Sequence, residues 1–474
     1  MKRLTLIVAL LLAACTKNPY PGVDNPTQGQ NSSQDKEIIA YIDKRLVEEY
    51  YWLDEVKDRN FLFDREHYKW SEYLQHALSK LKTNVDDGYV NSSGKRSFYS
   101  YISEYKTSTR AEVTGFGMLL HYTILLASRE NNYYYFIVDH VYPDSPAAKA
   151  GIKRGDMIVK INDSYITNSN YSAHFTSIQA NTKQSIRLSI KRQTADESFE
   201  TTISKGLYDA SPVAHHEVID IEGTKIGYLA YTSFDSSYDD ELLAALSSLA
   251  ADGAQELILD LRINRGGSVD SAVKLCSALM PSTLEGSTLC TLVRNPNNQR
   301  TQQSSAFNLE GTGSIFGLDN LTVICSDYSA SASELVVMGL RGLDVPVTLI
   351  GTQTEGKNCG MDVTRATIAG KYLEFAPITF MCLNAKGDGD WGEGIIPDVD
   401  LTKENNGVGV HDANYPMPRA DWGDEQHDIA LATALAKILG KGVETAATRC
   451  QELEYYPSTL SIEAPVEGIR LYHD

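Results

Sequence analysis

The sequence is short of positive charge: 43 Lys and Arg stand against 62 Asp and Glu, a formal net charge of −19. Surfaces that bind nucleic acid neutralise phosphates with Lys and Arg, so this balance argues against a nucleic-acid partner and for simple solubility. Cysteines are few, seven in 474 residues, and none stands in the close pairs of a zinc site. There is no HExxH segment, so zinc hydrolysis lacks its ligands, and no metal or cofactor is expected. The histidines on which a Ser-His-Asp arrangement would draw, His215, His216, His411 and His427, sit in no recognisable motif. What is there is ordinary for globular protein, 42% hydrophobic and 22% charged residues. A chain of this length exceeds what one hydrophobic core supports, and two or three domains are expected.

Lys2 and Arg3 precede the apolar run Leu4 to Leu12, too short to span a bilayer and laid out as a secretory signal. It ends in Leu12-Ala13-Ala14-Cys15, which resembles the bacterial lipobox. That resemblance implies a signal peptide over 1–14, lipidation at Cys15 and a membrane partner through the lipid. The expected location is the bacterial cell envelope, at the periplasmic or outer-membrane surface. From 15 to 35 the chain is rich in Pro, Gly, Asn, Gln and Ser, a flexible tether that buries too little apolar area to order itself. Export would permit disulfides, although Cys276, Cys325 and Cys382 lie in apolar runs where buried free thiols are expected.

Over 36–111, Ile38, Ile39, Ile42, Leu46 and Val47, then Tyr73, Leu74, Ala77, Leu78 and Leu81, recur at helical spacing and predict a small helical domain. Over 112–206 the texture changes to short strands such as Tyr133 to Val138 and Ile186 to Ile190. Here Pro143-Asp144-Ser145-Pro146-Ala147-Ala148-Lys149-Ala150-Gly151-Ile152, followed by Arg154-Gly155-Asp156-Met157-Ile158, resembles the helix and following strand of a PDZ domain. Such modules add a peptide as a strand to a sheet edge and receive its carboxylate on backbone amides. Gly115-Phe116-Gly117-Met118 resembles that receiving loop, with Phe116 and Met118 as candidate walls of an apolar pocket.

From 207 to 440 the rhythm is α/β: a strand over Ile226 to Tyr231, a helix over Asp239 to Ala251, a buried strand over Leu257 to Leu261. It repeats with Leu321 to Cys325, Ala332 to Arg341 and Val347 to Ile350, and predicts a partly parallel sheet covered by helices. Residues 441–474 form a tail. Three segments in this region carry chemistry. Leu259-Asp260-Leu261-Arg262-Ile263-Asn264-Arg265-Gly266-Gly267 runs a strand into paired glycines, whose amides a substrate carbonyl could approach. Ser329-Ala330-Ser331-Ala332-Ser333-Glu334 sets small residues at a strand-to-helix turn, where a hydroxyl stands beside free N–H groups and the positive end of the helix dipole. Gly351-Thr352-Gln353-Thr354-Glu355-Gly356-Lys357 delivers a lysine just after a strand.

Together these segments resemble the carboxy-terminal processing (tail-specific) serine peptidase family, a resemblance that spans about residues 112 to 440 with the PDZ-like segment. It implies a multidomain α+β and α/β protein with a crotonase-like peptidase core of ββα repeats. It also implies Ser331 as nucleophile, Lys357 as general base, and an oxyanion hole from Gly266, Gly267 and Ala332. Polypeptides that are unfolded or end in apolar residues would be the substrates, held by Gly115, Phe116, Gly117 and Met118. A lysine of ordinary pKa, about 10.4, is almost never neutral at pH 7, so Lys357 serves only if desolvated. Trp391-Gly392-Glu393-Gly394-Ile395-Ile396-Pro397-Asp398 matches a further family segment without an obvious catalytic group. The chain departs from the pattern twice. The interval from Ser331 to Lys357 is one residue longer than usual, and Met361 stands where members often carry a glutamine that orients the lysine. These departures leave a second reading open, a weak or inactive peptidase that binds peptides through its PDZ module.

Overall fold

The computed structural model describes residues 32–58, 68–90, 96–105, 112–121, 124–128, 130–192, 194–195, 197–402, 420–441 and 469–472. The signal segment, Cys15, most of the tether, His411 and Cys450 lie outside the described residues.

The helical periodicity is realised in Ser33–Glu49, Leu53–Asp58 and Trp70–Leu78. Ser32 caps the first helix by accepting the Asp35 N–H, and the Asp35 side chain reaches back to the Ser32 N–H. The apolar stripe Ile38, Ile39, Ile42 and Leu46 packs with Tyr73, Leu74 and Leu78. The same cluster holds Cys359, Met361, Val363, Phe375 and Ile378, which lie on the strands Cys359–Ile368, Lys371–Ala376 and Ile378–Asn384. The helices therefore share one core with a sheet of the α/β region, and strand Tyr101–Glu104 joins that sheet beside Lys371–Ala376. Strand 469–472, within the tail, pairs in parallel with Cys359–Ile368.

The PDZ region is a sheet ordered Glu197–Ser204, Ser185–Arg192, Met157–Ile161, Tyr133–Val141, Met118–Leu120. Ser145 caps the short helix Pro146–Lys149, with Pro146 in its first turn. Helix Tyr171–Gln179 buries Phe175 and Ile178 in the same core as Phe116, Met118 and Leu120. Mixed α/β architecture with a PDZ module and a peptidase-type core is thus present as the sequence implies.

The core sheet is ordered Val213–Ile221, Thr224–Tyr231, Glu256–Asp260, Leu321–Cys325, Val347–Gly351, Val399–Asp400. Its first pair is antiparallel and the rest are parallel. Central strands read Leu-Ile-Leu and Leu-Thr-Val-Ile because both faces are covered. On one face lie helices Asp239–Ala251, Val269–Leu279 and Ala332–Gly342, and on the other Ile429–Ile438. Burying each leucine of a stripe such as Leu242, Leu246 and Leu249 contributes about 1.5–3 kcal/mol.

A buried ion network ties these parts together. Arg262 holds Asp260 through Nε (3.0 Å) and Asp428 through Nη1 (2.8 Å) and Nη2 (2.7 Å). Arg154, from the PDZ module, approaches the same Asp428 (3.6 Å), donates to the Ala420 carbonyl (2.7 Å) and stacks on Trp422. Burial pushes the Asp428 carboxyl up, but the charges of Arg262 and Arg154 with the Arg262 and Leu431 hydrogen bonds together hold the pKa below the usual value. Cys276, Cys290, Cys325, Cys359 and Cys382 are buried free thiols, as expected for Cys276, Cys325 and Cys382.

Candidate active site

The glycine turn is shaped by its own motif. Asn264 is fully buried and accepts the Gly266 N–H at Oδ1 (2.9 Å), while its Nδ2 donates to the Tyr231 carbonyl (3.0 Å). Gly266 and Gly267 have φ of 101° and 139°, where a side chain is strained. A Cβ on Gly266 would stand 2.7 Å from the Ser331 Cβ and 2.9 Å from the Ala332 nitrogen. The missing side chain is what lets the turn lie against the serine loop. With the Gly266 amide taken by Asn264, Gly267 and Ala332 carry the amides that have no acceptor among the described residues.

The serine loop leaves strand Leu321–Cys325 and enters helix Ala332–Gly342. Its hydroxyls fasten it to the glycine turn: Ser326 Oγ donates to the Arg262 carbonyl (2.6 Å), Ser329 Oγ to Leu261 (2.8 Å) and Ser333 Oγ to Asn264 (2.9 Å). Ser331 differs. It is fully buried, its Oγ has no hydrogen-bond partner among the described residues, and its φ is +65° with ψ −114°. Such a backbone costs a non-glycine residue about 1–3 kcal/mol and persists only where the surroundings enforce it.

Glu334, in the first turn of the helix, supplies that enforcement. Its Oε2 accepts the Ser331 N–H (2.7 Å) and the Lys357 N–H (2.8 Å). Its Oε1 accepts the Gly356 N–H (2.8 Å) and the Thr354 hydroxyl (2.5 Å). One oxygen thus holds the backbones of Ser331 and Lys357, and their nitrogens stand no farther apart than those two bonds allow. Burial pushes the Glu334 carboxyl above its ordinary range, and the four hydrogen bonds pull the other way. The Gly-Glu-Gly-Ile segment locks the lysine loop from outside, with the Ile395 N–H on the Thr354 hydroxyl (2.7 Å). Asp398 accepts the Leu349 N–H (2.7 Å), so this segment supports the fold. Lys357 itself is fully buried, with Nζ 3.9 Å from the centre of the Tyr99 ring.

Met361 points into the core shared with the N-terminal helices. His215 pairs with Glu217 (3.2 Å) and His427 with Asp424 (2.8 Å). No hydrogen bond joins a described histidine to Ser331.

In the PDZ loop, side chains from beyond the turn hold its backbone groups. Phe116 and Met118 are buried in the core that also holds Phe175 and Ile178 of helix Tyr171–Gln179. Asn181 Oδ1 accepts the Phe116 N–H (2.9 Å), and Gln179 Nε2 donates to the Met118 carbonyl (3.4 Å). Gly115 and Gly117 are held tightly, since a Cβ would meet Asn181 Oδ1 at 2.7 Å and Ser145 Cβ at 2.1 Å.

The sequence reading singled out Ser331, Lys357, Gly266, Gly267 and Ala332, and the fold gathers their segments at one place. It missed Glu334 as a clamp, although Ser331 and Glu334 have the S-x-x-E spacing of a helix-capping pair. Tyr99 and Asn181 carried no local signal.

This combination of fold and site defines a class. Residues 225–401 match the family model of peptidase family S41, and residues 137–192 match that of the PDZ domain. The peptidase match thus falls on the α/β core and the PDZ match on the sheet region that precedes it. It is 27% identical to a carboxy-terminal-processing protease of Bartonella bacilliformis over 68% of this chain and 69% of that one. A CtpA-like serine protease of Staphylococcus saprophyticus is 23% identical over 90% of this chain and 78% of its own. The chain spans 62% of the length of a similar protein from Staphylococcus aureus at 24% identity. Among solved structures, an S41 protease from Bacteroides fragilis shares the fold, with a TM-score of 0.67, 22% identity, and coverage of 88% of this chain and 99% of that one.

Proposed function

We propose that this protein is a serine endopeptidase in which Ser331 attacks the peptide carbonyl and Lys357 takes its proton. The observation that carries the reading is the Glu334 carboxylate, which holds the Ser331 and Lys357 amides on one oxygen among buried side chains. Burial disfavours an ammonium, so the lysine amine can be neutral and act as a base. The hydroxyl oxygen adds to the carbonyl as its proton passes to Nζ, and the amides of Gly267 and Ala332 receive the oxyanion. Collapse expels the amine, which takes the proton back from Nζ, and leaves an ester on Ser331. Water activated by the same lysine hydrolyses that ester.

The PDZ module captures the tail of an exported polypeptide, and a lipid on Cys15 holds the enzyme to the bacterial envelope. Cleavage of a labelled unfolded protein with an apolar carboxy terminus tests the assignment. Loss with Ser331→Ala and with Lys357→Ala is expected, and equal cleavage by Ser331→Ala rejects it. The burial of Met361 in the helical core favours a second reading, a peptide-binding lipoprotein with little activity. Tail binding without any reaction with a serine-directed fluorophosphonate would select it.

A further inference from the structure

The N-terminal module has no role in the chemistry so far, yet the segment that follows its helices builds one wall around the lysine. Asp87 is fully buried and accepts the Tyr50 hydroxyl (2.6 Å), the Ser100 N–H (2.9 Å) and the Ser100 hydroxyl (2.7 Å). The Ser100 Oγ in turn accepts the Ile378 N–H (2.8 Å). This network fixes the backbone beside Tyr99, just ahead of the strand Tyr101–Glu104. Tyr99 is almost fully buried and turns the face of its ring to Lys357, 3.9 Å from Nζ. A ring face is electron-rich and attracts an ammonium. The strand position four residues after the lysine presents Met361, which can offer Nζ no hydrogen-bond acceptor of comparable strength.

Resting on the proposed function, we propose that Tyr99 is a positioning residue for Lys357. Its ring seats the ammonium that forms when Ser331 gives up its proton. Other charged or titratable groups around this lysine are Asp87 from the N-terminal module, Glu355 on its own loop, Cys359 on the following strand and Glu334 on the helix. Arg265 and Asp86 stand behind them, acting on Glu355 and Cys359. The Tyr99 hydroxyl also hydrogen-bonds Glu355, a bond that Tyr99→Phe and Tyr99→Met both remove, so the difference between these two variants reads the ring's share alone.

The test is a pH profile of kcat/KM on a quenched-fluorescence peptide for wild type, Tyr99→Phe and Tyr99→Met, the last filling the space without a ring. Tyr99→Met is expected to lose about three- to thirtyfold in kcat with KM little changed. The ascending limb should move to lower pH, because a ring that favours the charged amine has been removed. Tyr99→Phe should restore most of the loss. Fluorinated phenylalanines at position 99 keep the shape and weaken the ring face, so log kcat should fall stepwise with fluorination. A limb that stays in place in Tyr99→Met, or no trend along the fluorinated series, overturns the proposal. Titration of the Lys357 13Cε resonance, assigned with Lys357→Arg, reads the same shift without turnover. Wild type that neither cleaves nor reacts with a fluorophosphonate defeats the proposed function, while an unchanged Lys357 titration in Tyr99→Met defeats this inference.

Discussion

Two glycine turns in this molecule have a proposed role in receiving an anion, and in each an asparagine side chain already occupies one amide. In the core, Asn264 takes the Gly266 N–H; in the PDZ module, Asn181 takes the Phe116 N–H, both at 2.9 Å. Their settings differ. Asn264 belongs to the turn it braces, is fully buried, and is fixed through Nδ2 on the Tyr231 carbonyl. Asn181 comes from the far end of a helix, is half-buried, and holds its Nδ2 by one long bond to the Gln179 carbonyl (3.4 Å). The first asparagine is scaffold. The second occupies the Phe116 amide that the proposed tail capture would use, and Gln179 likewise occupies the Met118 carbonyl that a peptide strand would need. On the proposed function, one turn is preorganised for a transient charge, and the other would exchange a partner on binding a tail.

The contrast can be broken most severely at Gly266. Gly266→Ala puts a methyl 2.7 Å from the Ser331 Cβ at a φ of +101°, and activity should fall at least a thousandfold in a peptide-cleavage assay. Asn264→Ala should cost about a hundredfold in kcat and about 2 kcal/mol in urea unfolding, since it leaves the Gly266 amide and the Tyr231 carbonyl buried without partners. The matching change in the PDZ turn should act with the opposite sign. Asn181→Ala frees the Phe116 amide, so a fluorescent apolar-tailed peptide should bind about three- to tenfold tighter by anisotropy, with core acylation unchanged. Tail affinity that falls instead would make Asn181 a scaffold like Asn264.

A smaller effect separates stability from the site. Burial pushes the Glu49 carboxyl up to about 7, with Arg45 and Arg300 opposing. The folded protein therefore keeps a proton that the unfolded chain has lost between about pH 4.5 and 7. Stability from this group is full below that window and declines as pH rises through it, and Glu49→Gln should flatten the slope of thermal unfolding midpoint against pH.

Local motifs made the candidate groups legible. Ser331, Lys357 and Gly266-Gly267 each lie in a short segment whose residue types serve its chemistry, and the strand-helix-strand rhythm around them matches the sheet order. What sequence reading missed spans long separations. Tyr99 reaches Lys357 across most of the chain, and Arg154 meets Asp428 between two modules. Amphipathic spacing marks which face of Ser33–Glu49 is buried but not what buries it, so the helices read as a separate domain while they pack on the strands carrying Met361 and Phe375. The PDZ loop was legible as a glycine turn. Its hydrogen bonds to Gln179 and Asn181 were not, because neither side chain belongs to a motif.

The account rests on a proton passing from Ser331 to Lys357 while Glu334 keeps their backbones together. The rate of fluorophosphonate labelling of Ser331 against pH, in wild type and Lys357→Met, measures that step without needing a substrate. Wild type should label with a single rising limb, and Lys357→Met should label at least a thousandfold more slowly with that limb gone. Labelling of the methionine variant at the wild-type rate and with the same pH dependence would contradict it.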